Sequence, residues 1–330
     1  AAGVGAGKHA KFGARKTKGS AVGQAIFNRL KLATSQAGHK AVKGRRVQKQ
    51  QLGEAAPEAA APEAAAAAAA SPLYMAGGPE GEAEEGAAPK TIYVYDGRET
   101  NTRAAELTTF ILAAGFAMPD VRYIKSASDA DIRSATWDED CRAIVFPPMH
   151  ALPDFAPNAV KDLRNFVSRG TNESGTVLFM GSSLQVHVIN QLFGFQMQQD
   201  FKEGPYYKNE RTTAGTVLGK LPARVNELGN TQSLGILKTS LPPEANSYYD
   251  SFGDSVAACV RYDLGRVCYL AQDFGPLEEL PQLQRKIESE NEEVARHASF
   301  DLEILQRKTD TWLAIMHGML EQPAHAGPYV

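Results

Sequence analysis

Between residues 91 and 193, short β-rich apolar runs alternate with stretches whose apolar residues recur at helical spacing. That alternation restricts the chain to an α/β architecture, a parallel sheet covered by helices on both faces. The strand-like runs are TIYVYDG (91–97), VRYIK (121–125), CRAIVFPP (141–148) and TVLFM (176–180). The helical patterns fall at 102–114, with Leu107, Phe110, Ile111 and Leu112 on the apolar side, at 128–135, and at 157–169 with Val160, Leu163, Phe166 and Val167. The continuous apolar centre of the third run predicts a strand buried on both faces.

Beyond Met180 the chain turns through Gly181, Ser182 and Ser183 into a helix, LQVHVINQLFGF, with a glycine stop. From 195 to 275 the pattern becomes mostly β, and SVAACVRYD and GRVCYLAQDF, joined at Asp-Leu-Gly, form a hairpin. Whether 200–245 builds a second sheet or an irregular cover is open at this level. The last fifty residues are helical, a charged stretch at 281–298 and then 300–320. There Leu302, Leu305, Trp312, Leu313, Met316, Met319 and Leu320 make a stripe expected to pack on the sheet.

Charge divides the chain into three. Residues 1–53 hold twelve cations and no Asp or Glu: Lys8, Lys11, Arg15, Lys16, Lys18, Arg29, Lys31, Lys40, Lys43, Arg45, Arg46 and Lys49. Residues 54–89 form an Ala/Pro/Glu linker with seven Glu and no base, semi-stiff and with nothing to bury. The rest, 90–330, has 23 bases against 31 acids, a formal charge of −8, and forms one globular unit with a helical extension at 281–320. The basic arm is expected to be extended. Within it only AIFNRLKLA (25–33) carries apolar residues at helical spacing, namely Ile26, Phe27, Leu30 and Leu32. Its acid-free composition is also that of an organelle transit peptide, and Ala at position 1 is consistent with loss of Met alone or of a longer leader.

Cys141, Cys259 and Cys268 lie in apolar stretches without CxxC or Cys/His spacing, so they are expected to be buried thiols in a reducing compartment, with neither a disulfide nor a metal. No cofactor motif stands out. GVGAGKH (3–9) lacks both the GxxxxGK[ST] spacing and a preceding strand, and is expected to be plain glycine-rich tail. No apolar run reaches the roughly 18–20 residues that cross a bilayer.

The segments TIYVYDGRETN, TWDEDCRAIVFPPMHALPDF and LRNFVSRGTNESGTVLFMGSS, in that order, resemble the glutamine-amidotransferase-like N-terminal domain of eukaryotic biotin-protein ligases. That domain belongs to the class I glutamine amidotransferase superfamily. The resemblance covers about residues 90–195, and LGRVCYLAQDFG is similar to the strand that closes such domains. It implies a mainly parallel, doubly wound, flavodoxin-like sheet with a β-hairpin and C-terminal helices, preceded by the basic tail.

It also implies where a catalytic apparatus would stand, and there the sequence departs from it. The elbow reads Gly181-Ser182-Ser183-Leu184-Gln185, without the cysteine or the second glycine. Pro147 and Pro148 stand where an oxyanion turn would offer N–H groups, and proline has none. Ala271-Gln272-Asp273-Phe274 stands where His and Glu would follow the closing strand. No Gly-Arg-Gly-Arg run of the ligase catalytic half occurs in these residues, so biotin transfer is not expected.

A serine substitute for the cysteine needs an imidazole base. His187 is too far along the helix, which leaves His150, and a set of Ser183, His150 and Asp154 can be drawn as a weak alternative. Ser182 is instead expected to cap the helix. Arg98, His150 and Ser183 outline a crevice that a small ligand could use.

The expectation is a non-enzymatic subunit of a large assembly, held by its basic arm. RNA is the natural partner of twelve cations without an acid, as in an organellar ribosome of the mitochondrial matrix. A plastid or ciliary assembly with an acidic protein surface is the alternative, and a Ser183-dependent hydrolase the enzymatic one. Nothing points to a membrane span or to sequence-specific DNA.

Overall fold

The computed structural model describes residues 91–101, 104–115, 120–169, 175–228, 233–289 and 291–321. The basic arm and the linker lie outside the described residues. The four apolar runs form β1 (Thr91–Tyr95), β2 (Asp120–Ile124), β3 (Cys141–Phe146) and β4 (Thr176–Met180), and the stretches between them form α1 (Ala104–Gly115), α2 (Asp129–Thr136) and α3 (Pro157–Ser168). Local chemistry sets the helix ends. The Ser128 hydroxyl accepts from Asp131 N at 3.3 Å, and Pro157 occupies the first turn of α3, where a missing N–H costs nothing. After β4 comes α4 (Gln185–Phe193), stopped by Gly194 at φ +77°.

β1, β3 and β4 are buried along their whole length apart from Arg142, because each lies inside the sheet with helices above and below. β2 is an edge strand and is largely exposed, with only Ile124 buried. The parallel block runs β2-β1-β3-β4-β11, with β11 at Gly265–Leu270. Right-handed crossovers in this order put α1 on one face and α2, α3 and α4 on the other. α1 packs with the C-terminal helix, and α2, α3 and α4 pack in series.

The expectation of a mainly parallel sheet holds for this block only. β10 (Asp254–Tyr262) pairs antiparallel with β11, and the sheet continues through β9 (Ala245–Ser251), β6 (Tyr206–Lys208) and β7 (Arg224–Val225). β8 (Ser233–Leu237) pairs with the start of β10, and β5 (Gln199–Lys202) pairs with β8. The 200–245 region is therefore an antiparallel extension of one eleven-stranded sheet. β11 makes this possible by joining β4 in parallel and β10 in antiparallel.

The hairpin register sets Cys259 opposite Cys268, and the two are joined as a disulfide. This corrects the expectation of three free thiols, since only the pairing register brings these two together. Cys141 is free and buried, and burial pushes its thiol pKa up, so it is an unreactive apolar filler.

After a single-turn helix α5 (Glu210–Thr213) between β6 and β7, the C-terminal chain breaks into α6 (Leu280–Ile287) and α7 (Glu292–Glu321). The break lies earlier than the change of pattern near 300, because Asn291 Oδ1 accepts from the N–H groups of Glu293 and Val294 and so caps α7. The apolar stripe of α7 packs on the antiparallel half and on α1. Trp312 is fully buried, donates its indole N–H to Asn226 O at 2.8 Å, and meets Tyr206 edge-on at 5.8 Å. A Cβ at Gly318 would meet Leu218 Cδ2 at 2.5 Å, which sets how closely α7 approaches the 3-10 turn Val217–Lys220.

Candidate functional site

In a doubly wound sheet of order 2-1-3-4-5 the crevice opens where the strand order reverses, outside the carboxyl ends of the first and third strands. Here those ends are Tyr95 and Phe146, followed by the loops 96–101 and 147–150. The two loops pair with each other. Asn101 N donates to Pro148 O at 2.9 Å, His150 N donates to Glu99 O at 2.9 Å, and Thr100 and Met149 form an antiparallel bridge. Met149 is 2 % exposed and belongs to the same buried core as Tyr95, Phe146 and Phe155, whose rings have centroids 5.2 to 6.2 Å apart. The two loops at the switch point are thus stitched together by backbone.

Beneath the stitch, Glu99 accepts from Tyr95 Oη at 2.9 Å through one oxygen and from Arg98 Nε at 3.0 Å through the other. Burial pushes the Glu99 carboxyl pKa up, but the bonds from Tyr95 and Arg98 outweigh it, and the group stays below its ordinary value. A carboxylate held ionised with both oxygens engaged is a structural anchor and a poor proton donor or base. Arg98 itself is largely exposed.

The second opening expected of this architecture lies between the ends of β3 and β4. Gln185, fully buried in the first turn of α4, donates to Pro147 O at 2.5 Å and to Phe146 O at 3.4 Å. Its side chain occupies the side of the elbow facing β3. The two prolines that offer no N–H offer their carbonyls instead, to Gln185 and to Asn101. Two buried oxygens here, Gln185 Oε1 and Thr100 Oγ1, have no hydrogen-bond partner.

The elbow turn is ordinary backbone. Among the described residues the non-glycine positive φ values belong to Phe252, Asp263 and Phe274, none of them at 181–184. A nucleophile elbow holds its residue in a strained turn so that the side chain stands proud of the sheet. Gly181 has a different reason to be glycine: its N–H donates to Leu270 O at 2.8 Å, and a Cβ would stand 2.3 Å from Ala271 O. Ser182 does not cap α4 as expected. Its hydroxyl accepts from Leu184 N at 3.4 Å, one residue ahead of the helix, and the cap position is Leu184 itself.

Ser183, His150 and Asp154 are all exposed, and among the described residues no hydrogen bond joins them through their side chains. Ser183 uses its carbonyl, accepting from Gln199 Nε2 at 2.6 Å. His187 points to solvent from α4. The twelve cations of the arm lie outside the described residues. Among the described residues no group of three or more His, Cys, Asp or Glu is placed to hold a metal ion, and no helix is long and apolar enough to cross a membrane. Sequence reasoning missed Gln185 and Glu99. The signal for Gln185 was a glutamine at the second-glycine position of the elbow, directly after Leu184. Glu99 left no signal, since its role depends on Tyr95 and on a loop 50 residues away.

No protein-family model matches the sequence, and no curated protein matches it. Solved structures offer distant likenesses. A cytoplasmic protein of Salmonella typhimurium LT2 is 14 % identical over 71 % of this chain and 100 % of its own, at a TM-score of 0.43. An exo-β-1,4-mannosidase of an Opitutaceae bacterium is 14 % identical at 0.36; the match covers 65 % of this chain but only 36 % of the mannosidase. A ThuA-like protein of Parabacteroides merdae is 11 % identical over 55 % of this chain and 78 % of its own, at 0.39. No residue role is taken from any of them.

Proposed function

We propose that this chain is a structural subunit of a large assembly: a degenerate amidotransferase-like body tethered by its linker to a basic arm that holds RNA. The observation that carries the non-enzymatic reading is the stitch between Glu99–Asn101 and Pro148–His150, which ties together the two loops that would border a substrate crevice in this architecture. The unstrained turn at Ser182 and Ser183, and Gln185 beside it, support the same reading. The arm reading is supported by charge: twelve cations without an acid follow a phosphate backbone and gain affinity by counterion release. An organellar ribonucleoprotein of the mitochondrial matrix fits that pattern.

The test is a salt-dependent pull-down from cell extract with the full chain beside a chain lacking residues 1–53, with and without ribonuclease. The reading predicts that capture of ribonucleoprotein needs the arm and is lost with ribonuclease or raised salt. It predicts further that Ser183→Ala leaves capture unchanged. Capture that survives removal of the arm, or a hydrolytic activity abolished by Ser183→Ala, overturns it.

A further inference from the structure

α7 is packed unevenly along its length. From Leu305 onward one side of the helix is buried, with Trp312 as its anchor, but of residues 292–301 only Ala298 is buried. α6 packs against α7, yet these first turns depend largely on their own backbone bonds and on the Asn291 cap. A helical stretch of about ten residues without a buried face is marginal in water, so opening it costs little.

Two large apolar side chains stand in solvent on this stretch, Val294 at 39 % and Phe300 at 62 % exposed. Six residues apart, they point about 120° from each other around a helix and make no common docking stripe. In an extended chain the period of two puts Val294, Arg296 and Phe300 on one side, with Ser299 facing the other way. Arg296 and Ser299 are exposed, and among the described residues no ion pair involves Arg296. The Ser299 hydroxyl donates to Ala295 O at 2.8 Å, a bond within the helix that is released when the turn opens.

Protein kinases with acidic substrate grooves read short extended segments by a guanidinium at a fixed offset before the hydroxyl and by apolar side chains beside it. Here Arg296 precedes Ser299 by three residues, Phe300 follows it directly, and Val294 precedes it by five. We propose that Ser299 is a phosphorylation site for an arginine-directed protein kinase. Ser299 Oγ attacks the γ-phosphorus of ATP, the new O–P bond forms as the bond to ADP breaks, and the hydroxyl proton passes to the kinase's catalytic carboxylate. The product gains about 1.5 to 2 negative charges at neutral pH. That charge lies about 20 Å along the helix from Trp312, so the buried half of α7 keeps its packing.

The same spacing recurs at Arg133-Ser134-Ala135-Thr136-Trp137, where it is silent. Thr136 is 1 % exposed, its carbonyl accepts from Arg169, and Arg133 is paired with Asp162 at 3.1 Å. Exposure and cheap opening separate the two positions.

The test is incubation of the folded full chain with magnesium ATP and the catalytic subunit of cyclic-AMP-dependent kinase, with the phosphate located by peptide mass spectrometry. The parent is compared with Arg296→Gln, an exposed substitution expected to leave the melting temperature unchanged. Phosphate is expected on Ser299, at an initial rate at least tenfold lower in Arg296→Gln, while Thr136 stays unmodified. No phosphate on Ser299, or an equal rate in Arg296→Gln, overturns the proposal. So does modification of Thr136 as fast as Ser299, which would mean that the kinase reads only unfolded chain.

Discussion

The Gln185 side chain donates to the Pro147 carbonyl at 2.5 Å and ties the first turn of α4 to the end of β3. Gln185→Glu replaces that donor with an acceptor facing two carbonyls, in a site with no solvent. The introduced carboxyl should have a folded pKa above its unfolded value. Its neutral form still donates, so the penalty is small below about pH 4 and grows as pH rises through the folded pKa. The expected loss is about 3 kcal/mol or more at pH 8. Urea denaturation at pH 5 and pH 8 checks it, and an equal, small loss at both would mean that the amide is not needed as a donor.

Gly181 lies where β4 and β11 end side by side. Gly181→Ala puts a methyl group 2.3 Å from the Ala271 carbonyl, which is backbone and cannot rotate away. A loss of about 1–3 kcal/mol is expected, with no change in the slope of the denaturation curve. An unchanged midpoint would show that the strand ends tolerate separation.

Asp310 on α7 has one carboxylate oxygen buried without a partner, and burial pushes its pKa up to about 6. The unfolded group titrates near 4, so the folded state is penalised increasingly from about pH 4 to pH 6, and fully above that. Asp310→Asn should raise stability by roughly 1–2 kcal/mol at pH 7.5, the full shift being discounted for partial solvation, and by almost nothing at pH 4. A gain at pH 4 as large as at pH 7.5 would assign the effect to something other than charge.

The Cys259–Cys268 pair joins the last parallel strand to the first strand of the antiparallel extension. Closing so short a loop restricts the unfolded chain by about 2–3 kcal/mol. Denaturation midpoints measured with and without reductant should differ accordingly, and thiol titration of the unfolded protein should find one free cysteine, Cys141. Three titratable thiols and no effect of reductant would mean the pair is reduced, the state a reducing compartment imposes.

What the sequence determined by itself was whatever depends on near neighbours. β1 to β4, α2 and α3 were legible within a residue or two because apolar period and local caps, Ser128 and Pro157 among them, act inside one element. That Pro147 and Pro148 offer carbonyls but no N–H groups was legible as well, since identity alone decides it. Only the tertiary structure decided how the pieces meet. That β11 joins β4 and carries six more strands into the same sheet, that Cys259 meets Cys268, and that the loops after β1 and β3 pair at Thr100 and Met149 are all choices of register between distant segments. Gln185 and Glu99 owe their roles to those meetings: a buried polar side chain must find a partner, and which partner it finds depends on which loop the fold brings to it.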